Sequence, residues 1–89
     1  MIVEFDKSFI KSLGKIKDVS VNKRITHIIG EFDQASEIGD IRNVKKLVGF
    51  RNYYIIRIGD YRLGIELKNR TTVRFIVVAH RKDIYRIFP

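Results

Sequence analysis

Along this 89-residue chain the apolar side chains recur first at spacings of three and four, then, from about residue 42, at every second position. The first rhythm belongs to helices and the second to strands. Ile2, Val3 and Phe5 predict a short opening strand, with Asp6 or Ser8 placed to cap the helix that follows. Phe9, Leu13 and Ile16 fit a short helix ending near Gly14. Ser20 is the expected N-cap of a longer helix, whose buried stripe is Val21, Ile25, Ile28, Ile29, Phe32 and Ala35. Lys23, Arg24, Glu31 and Asp33 fall off the stripe, and Gly30 weakens that helix modestly.

The second half predicts a meander. Residues 53–58 and 61–67 alternate as two strands about a Gly59-Asp60 turn, a pairing of turn chemistry and β-formers that signals a hairpin. Lys68-Asn69-Arg70 is the expected second turn, and 72–79, rich in Val, Ile and Phe, the last strand. The predicted fold is α+β: an N-terminal strand and two helices, then an antiparallel meander. The helices pack on one face of a twisted four-stranded sheet, in a single domain spanning residues 1–89. Strand parity gives the other face its character. Tyr54, Ile56, Ile58, Tyr61, Leu63, Ile65, Leu67, Val73, Phe75, Val77 and Ala79 are expected beneath the helices. Arg57, Arg62, Arg74 and, at the strand end, His80 are left to the open face, with Gly64 as a gap where a ligand could come close.

Charge sharpens this picture. The net charge is +8, and it is lopsided. Residues 1–41 carry six basic and seven acidic side chains, whereas 42–89 carry twelve basic and three acidic. The meander and tail therefore generate nearly the whole positive field, which suits phosphates. There is no cysteine, so neither a disulfide framework nor a thiolate metal site is available. No apolar run approaches membrane-spanning length, and Met1 to Asp6 lacks the features of a secretory signal. The expectation is a cytoplasmic protein that binds nucleic acid rather than membrane, with no metal and no cofactor.

Several groups carry chemistry. Arg57 and Arg62 flank the hairpin turn. They could be solvated arginines pairing with Asp60 and Glu66, or a phosphate clamp, since guanidinium forks bind phosphate oxygens in pairs. The segment His80-Arg81-Lys82-Asp83-Ile84-Tyr85-Arg86 reads either as a basic tail anchored by Tyr85 and Phe88 or as a proton-transfer group with phosphate ligands. Histidine is the side chain suited to acid–base work near neutrality. Lys45, Lys46 and Arg51, with Arg74 and Arg86, are candidate contacts to an RNA backbone. His27 is read as a helix-surface or packing residue. The aspartates form no close pair by spacing.

The run from Lys46 to Leu63 (KLVGFRNYYIIRIGDYRL) resembles the central hairpin of the RelE/ParE toxin superfamily, and His80 to Arg86 resembles the tail motif of its RelE branch. Phe5-Asp6-Lys7-Ser8-Phe9, leading into two helices, is similar to that family's opening. The resemblance implies a toxin of a type II toxin–antitoxin system that enters the ribosomal A site. There it would cleave mRNA without a metal, by attack of a 2′-hydroxyl on the adjacent phosphate. A RelB-like or other small antitoxin would hold it inactive, covering basic surface or displacing the tail. By motif position Arg62 corresponds to the arginine that stabilises the transition state, Arg81 to that near the leaving group, and Tyr85 to the tyrosine that stacks on or activates the substrate. Arg57 stands where such toxins carry a basic residue, but arginine cannot act as a base, which leaves His80 or Tyr85 to take the proton. Ile55 departs from the pattern, standing where many relatives have a second basic residue. The resemblance also leaves two other readings: a ParE-like inhibitor of DNA gyrase, and a non-catalytic RNA-binding homologue. All of these functional expectations need the hairpin and tail arginines to converge with Tyr85 on one open side of the sheet.

Overall fold

The computed structural model describes all 89 residues, Met1–Pro89. Their order is β1 (Ile2–Phe5), α1 (Lys7–Leu13), α2 (Val19–Gln34), a single 3-10 turn (Ile38–Asp40), β2 (Val44–Lys46), β3 (Tyr53–Ile58), β4 (Tyr61–Asn69), β5 (Thr72–His80) and α3 (Ile84–Ile87). The strands form one sheet in the order β1-β5-β4-β3-β2, with β1 parallel to β5 and every other pair antiparallel. The α+β class agrees with expectation, but the sheet has five strands rather than four. The additional strand, β2, is three residues long and carries Lys45 and Lys46, a short charged edge of the kind that discourages further strand pairing. β4 also runs on to Asn69, so the second turn falls at Arg70 and Thr71. The hairpin turn is as expected. Gly59 has φ +58 and Asp60 a negative φ, the pattern of a turn with glycine at its first central position. No helix is long and apolar enough to cross a membrane.

Asp6 caps α1 by accepting from the Ser8 N–H at 3.1 Å. Asp18, not Ser20, caps α2, accepting from the Ser20 N–H at 2.9 Å and the Val21 N–H at 3.4 Å. Ser20 instead donates its hydroxyl to the same carboxylate at 2.7 Å. The Ser20 hydroxyl and the Val21 and Ser20 amides hold the Asp18 carboxyl below its ordinary 3.8, and the Ser8 hydroxyl and amide, with Arg74, do the same for Asp6. Each depressed folded pKa contributes stability above the unfolded value, and that contribution is lost as pH falls through the folded one. Acid melts between about pH 5 and about pH 2 should therefore show a falling Tm. In Asp18→Asn, which can still cap but has no charge to protonate, that slope should flatten. An unchanged slope would count against this origin of the acid sensitivity.

The main core lies between the helices and the sheet. From α1 and α2 come Phe9, Val21, Ile25, Ile28 and Phe32; from the strands come Ile56, Ile58, Leu63, Ile65, Val73, Phe75 and Val78. The Phe75 ring is its centre, meeting Phe9 and Phe32 edge-on at 5.4 and 5.5 Å. The expected parity holds in β3 and β4 but breaks in β5. The register runs Leu63 to Val78 and Gly64 to Val77, then jumps to Ile65 opposite Phe75, leaving Ile76 as an extra residue. Two serines of α1, one turn apart, serve the irregular backbone that results. The Ser8 hydroxyl lies within hydrogen-bonding reach of both the Asp6 carboxylate and the Ile76 carbonyl, and Ser12 Oγ accepts from the Val78 N–H at 3.0 Å. Beyond this bulge every β5 side chain changes sides. Val78 joins the helix-side core, and Val77 turns to the opposite face.

That opposite face is not open in its middle. Ile55 and Val77 form a second, smaller core with Ile84 and Phe88 of the C-terminal segment. Phe88 is 3 % exposed and sits on Gly64: a Cβ there would lie 2.8 Å from the Phe88 ring. The gap expected at Gly64 is thus filled by the protein itself. The helices do not all lie on one side either, since α3 covers the face opposite α1 and α2.

Candidate nucleic-acid site

Strand register arranges the uncovered part of this face into rows. Arg57 is directly opposite Arg62, and Arg62 directly opposite Ala79. In the next row are Lys45, Ile55, Gly64 and Val77. Like charges placed directly across a strand pair are unfavourable by ~0.2–1 kcal/mol, so the arginine pair works slightly against the fold, a cost that a bound anion would offset. The tight turn brings in a third cation. Arg62 Nη1 donates to the Gly59 carbonyl at 2.8 Å and to the Tyr61 carbonyl at 2.9 Å. The Arg81 N–H donates to the Asp60 carbonyl at 2.8 Å, and Arg81 Nε lies 4.0 Å from the Asp60 carboxylate. A hairpin arginine and a tail arginine are thus both tied to the Gly59-Asp60 turn. Both members of the Arg81–Asp60 pair are more than half exposed, so that contact is weak and easily exchanged for a phosphate.

Tyr85, 64 % exposed, projects from α3 over the adjoining row. With Lys45, Lys46, Leu47, Val48 and Ile55 it lines a recess of 260 Å³. Ile55 thus has a structural reason: at 5 % exposure it is the floor on which α3 rests. Ile84 and Phe88, one turn apart, anchor that helix and so set where Tyr85 stands.

Other candidates lie elsewhere. His80 pairs across the sheet with Tyr61, ring centroids 5.7 Å apart, on the helix side. The β5 bulge has turned it away from the Arg57–Arg62 row, against expectation. Its Nδ1 accepts from the Lys82 N–H at 3.2 Å. Arg86 is paired with Asp83 at 3.0 Å and lines the same recess as His80. Arg74 also departs from the picture of a free platform arginine. It is held by Asp6 at 3.0 Å and Glu4 at 3.5 Å, with Glu66 opposite, and ties β1 to β5. Arg51 is exposed in the β2–β3 loop beside Phe50, where Gly49 and Asn52 both take positive φ. His27 is exposed and lies 3.4 Å from Glu31 on α2, as its sequence position suggested. No group of three or more His, Asp or Glu side chains is gathered to hold a metal.

Two arginines absent from the sequence candidates also reach this end of the molecule. Arg24 of α2 and Arg42 before β2 come to Arg57 around the β3 edge. Only their shared basicity could have signalled this, because seventeen residues, the 3-10 turn among them, separate them along the chain.

A strand and two helices leading into a meander, with cations gathered at the hairpin turn, define a small basic toxin fold. Residues 3–85 match the family described as the ParE toxin of type II toxin–antitoxin system, parDE, and the chain belongs to this RelE/ParE family of toxins. It is 43 % identical to Toxin RelE3 of Methanocaldococcus jannaschii in an alignment of 90 positions that covers 100 % of each chain. Its fold is similar to that in the RelB–RelE antitoxin–toxin complex from Methanococcus jannaschii, with TM-score 0.82 and 41 % identity over 97 % of this chain and 99 % of that one. The RelBE2 toxin–antitoxin complex from Mycobacterium tuberculosis is more distant, at TM-score 0.59 and 26 % identity over 90 % and 96 % of the two chains.

Proposed function

We propose that this toxin is an endoribonuclease that cleaves mRNA in the ribosomal A site, within the cytoplasm, and is held in check by a RelB-like antitoxin. The observation that carries the reading is the Arg57–Arg62 pair, directly opposed and joined at the turn by Arg81. In the reaction the RNA 2′-oxygen bonds to the adjacent phosphorus and the bond to the 5′-oxygen breaks, giving a cyclic phosphate and a 5′-hydroxyl. Charge builds on the phosphorane oxygens between those events. Fixed cations aimed at it lower the barrier without reorganising. Arg57 and Arg62 hold the phosphorane, Arg81 attends the leaving oxygen, and Tyr85 stacks on or activates the nucleotide. Lys45 and Lys46 contact the backbone beside it. The position of His80 favours Tyr85 over it as the group nearest the 2′-hydroxyl. The partner reading draws on the RelB-containing complexes among the structural relatives.

The test is incubation of the protein with mRNA-programmed ribosomes, in the presence of a chelator. Fragments ending in a 2′,3′-cyclic phosphate are expected. The family description also fits a gyrase inhibitor. Intact mRNA together with arrested gyrase supercoiling would replace the nuclease reading with that one.

A further inference from the structure

The edge of the sheet beyond Arg57 is built as an anion site. A cleft of 330 Å³ between α2 and the β2–β3 edge is lined by Arg24, Arg42, Arg57 and His27, together with Glu31 and Asn43. None of the three arginines forms an ion pair within the protein; four of the five ion pairs present lie elsewhere, and the fifth joins two other residues of the cleft. The one carboxylate in the cleft, Glu31, is turned to His27 at 3.4 Å. Arg24 leans toward the hairpin: its Nη1 lies 3.7 Å from where a Cβ on Gly59 would stand. Asn43, held at φ +62, bends the chain so that Arg42 enters from the β2 side. Three guanidinium groups around one concavity outnumber the single carboxylate that shares it and repel one another, and a bound anion offsets that repulsion.

Arg57 belongs both to this cleft and to the row facing the tail. The cleft is therefore one side chain away from the proposed reaction centre. We propose that Arg24 and Arg42 form a second phosphate subsite, which grips the RNA strand at a backbone phosphate neighbouring the one held by Arg57 and Arg62. This deepens the RNA-cleaving reading and rests on it for the identity of the strand. The contacts are to phosphate, so they position the strand and read no bases.

Arg24→Gln/Arg42→Gln tests it, since both side chains are exposed and neither belongs to the core. Binding of a single-stranded RNA oligonucleotide is measured over a series of salt concentrations. Losing one phosphate contact should shrink the slope of log affinity against log salt by about 0.7 and weaken binding about tenfold at low salt. A control, Lys11→Gln/Lys23→Gln, removes the same charge from exposed positions outside the cleft and should leave the slope unchanged. On ribosomes the arginine double variant should raise KM while retaining kcat, because the contact is made alike in ground and transition states. A variant with the wild-type slope overturns the subsite even if the protein cleaves mRNA. A wild type that binds RNA with the expected slope difference yet cleaves nothing leaves the subsite standing and removes the nuclease reading. Unmeasurable RNA binding by the wild type overturns the subsite. So does an unchanged RNA slope coupled to lost affinity for the antitoxin, which would assign the cleft to an acidic peptide.

Discussion

Arg62→Ala is expected to lower the rate of mRNA cleavage by ~10²–10³-fold, with a small effect on Tm. Arg62 is half-buried at the turn end of β4, its guanidinium oriented by the Gly59 and Tyr61 carbonyls. Those two bonds hold one edge of the fork, so the charge is in place before the substrate arrives, and such preorganisation is what makes a cation effective on a transient phosphorane. Removing it also removes the repulsion with Arg57 across the strand pair, so the fold should lose little. Arg62→Lys separates charge from geometry. Lysine keeps the charge but cannot bond both the turn carbonyl and a phosphate in fork fashion, so it should recover only part of the rate. Single-turnover cleavage on programmed ribosomes supplies the measurement. Full activity in Arg62→Ala, with the cyclic phosphate still formed, would show that the hairpin arginines are not the electrostatic centre.

Where the alternation mixes apolar with polar residues, the chain reveals its own fold. Arg57 between Ile56 and Ile58, or Arg62 between Tyr61 and Leu63, can point only one way once helices cover the apolar side. In Phe75-Ile76-Val77-Val78-Ala79 every residue is apolar, so either parity is equally acceptable and the bulge at Ile76 leaves no mark. The side on which His80 falls is therefore not written in the residues around it. β2 is legible only through its partner, since Val44-Lys45-Lys46 is too short and too charged to declare itself a strand. The tail did carry a readable signal. Ile84 and Phe88 are four residues apart, the spacing of one helical face, and Gly64 is the one position in the strand able to receive a ring. Taken as an opening for a ligand, that glycine gave a platform that was too open. Taken with the tail, it explains why Ile55 is apolar on a face that also carries Lys45, Arg57 and Arg62. That Arg81 would reach the Gly59-Asp60 turn could be anticipated from a hairpin followed by a strand of matching length. The approach of Arg24 and Arg42 could not, because it depends on how α2 lies across the sheet.

Phe88→Ala should release the C-terminal helix from the sheet. Replacing a fully buried phenylalanine weakens its docking by ~3–5 kcal/mol, the usual range for such truncations. Because the segment is terminal and covers only the smaller core, the loss should appear first as local detachment rather than global unfolding. Trypsin should then cut faster after Arg81, Lys82 and Arg86, while the amides of β4 and β5 keep most of their protection from hydrogen exchange. Gly64→Ala acts on the same contact from below. Its new methyl would stand 2.8 Å from the Phe88 ring, too close for any rotamer to tolerate without displacement, and should destabilise by ~1–3 kcal/mol. Combined with Phe88→Ala the added methyl meets no ring, so the two changes should be strongly non-additive, with a coupling of ~1 kcal/mol or more. Additive effects would mean that Phe88 does not rest on Gly64 in solution. The functional consequence follows from geometry. Tyr85 belongs to the detached helix and Arg81 lies three residues before it, so Phe88→Ala should suppress cleavage even though it touches neither Arg57 nor Arg62. Tyr85→Phe, which leaves the tail docked, should lower kcat without any gain in trypsin sensitivity, and the pair of variants separates the placing of the tail from the chemistry of its tyrosine.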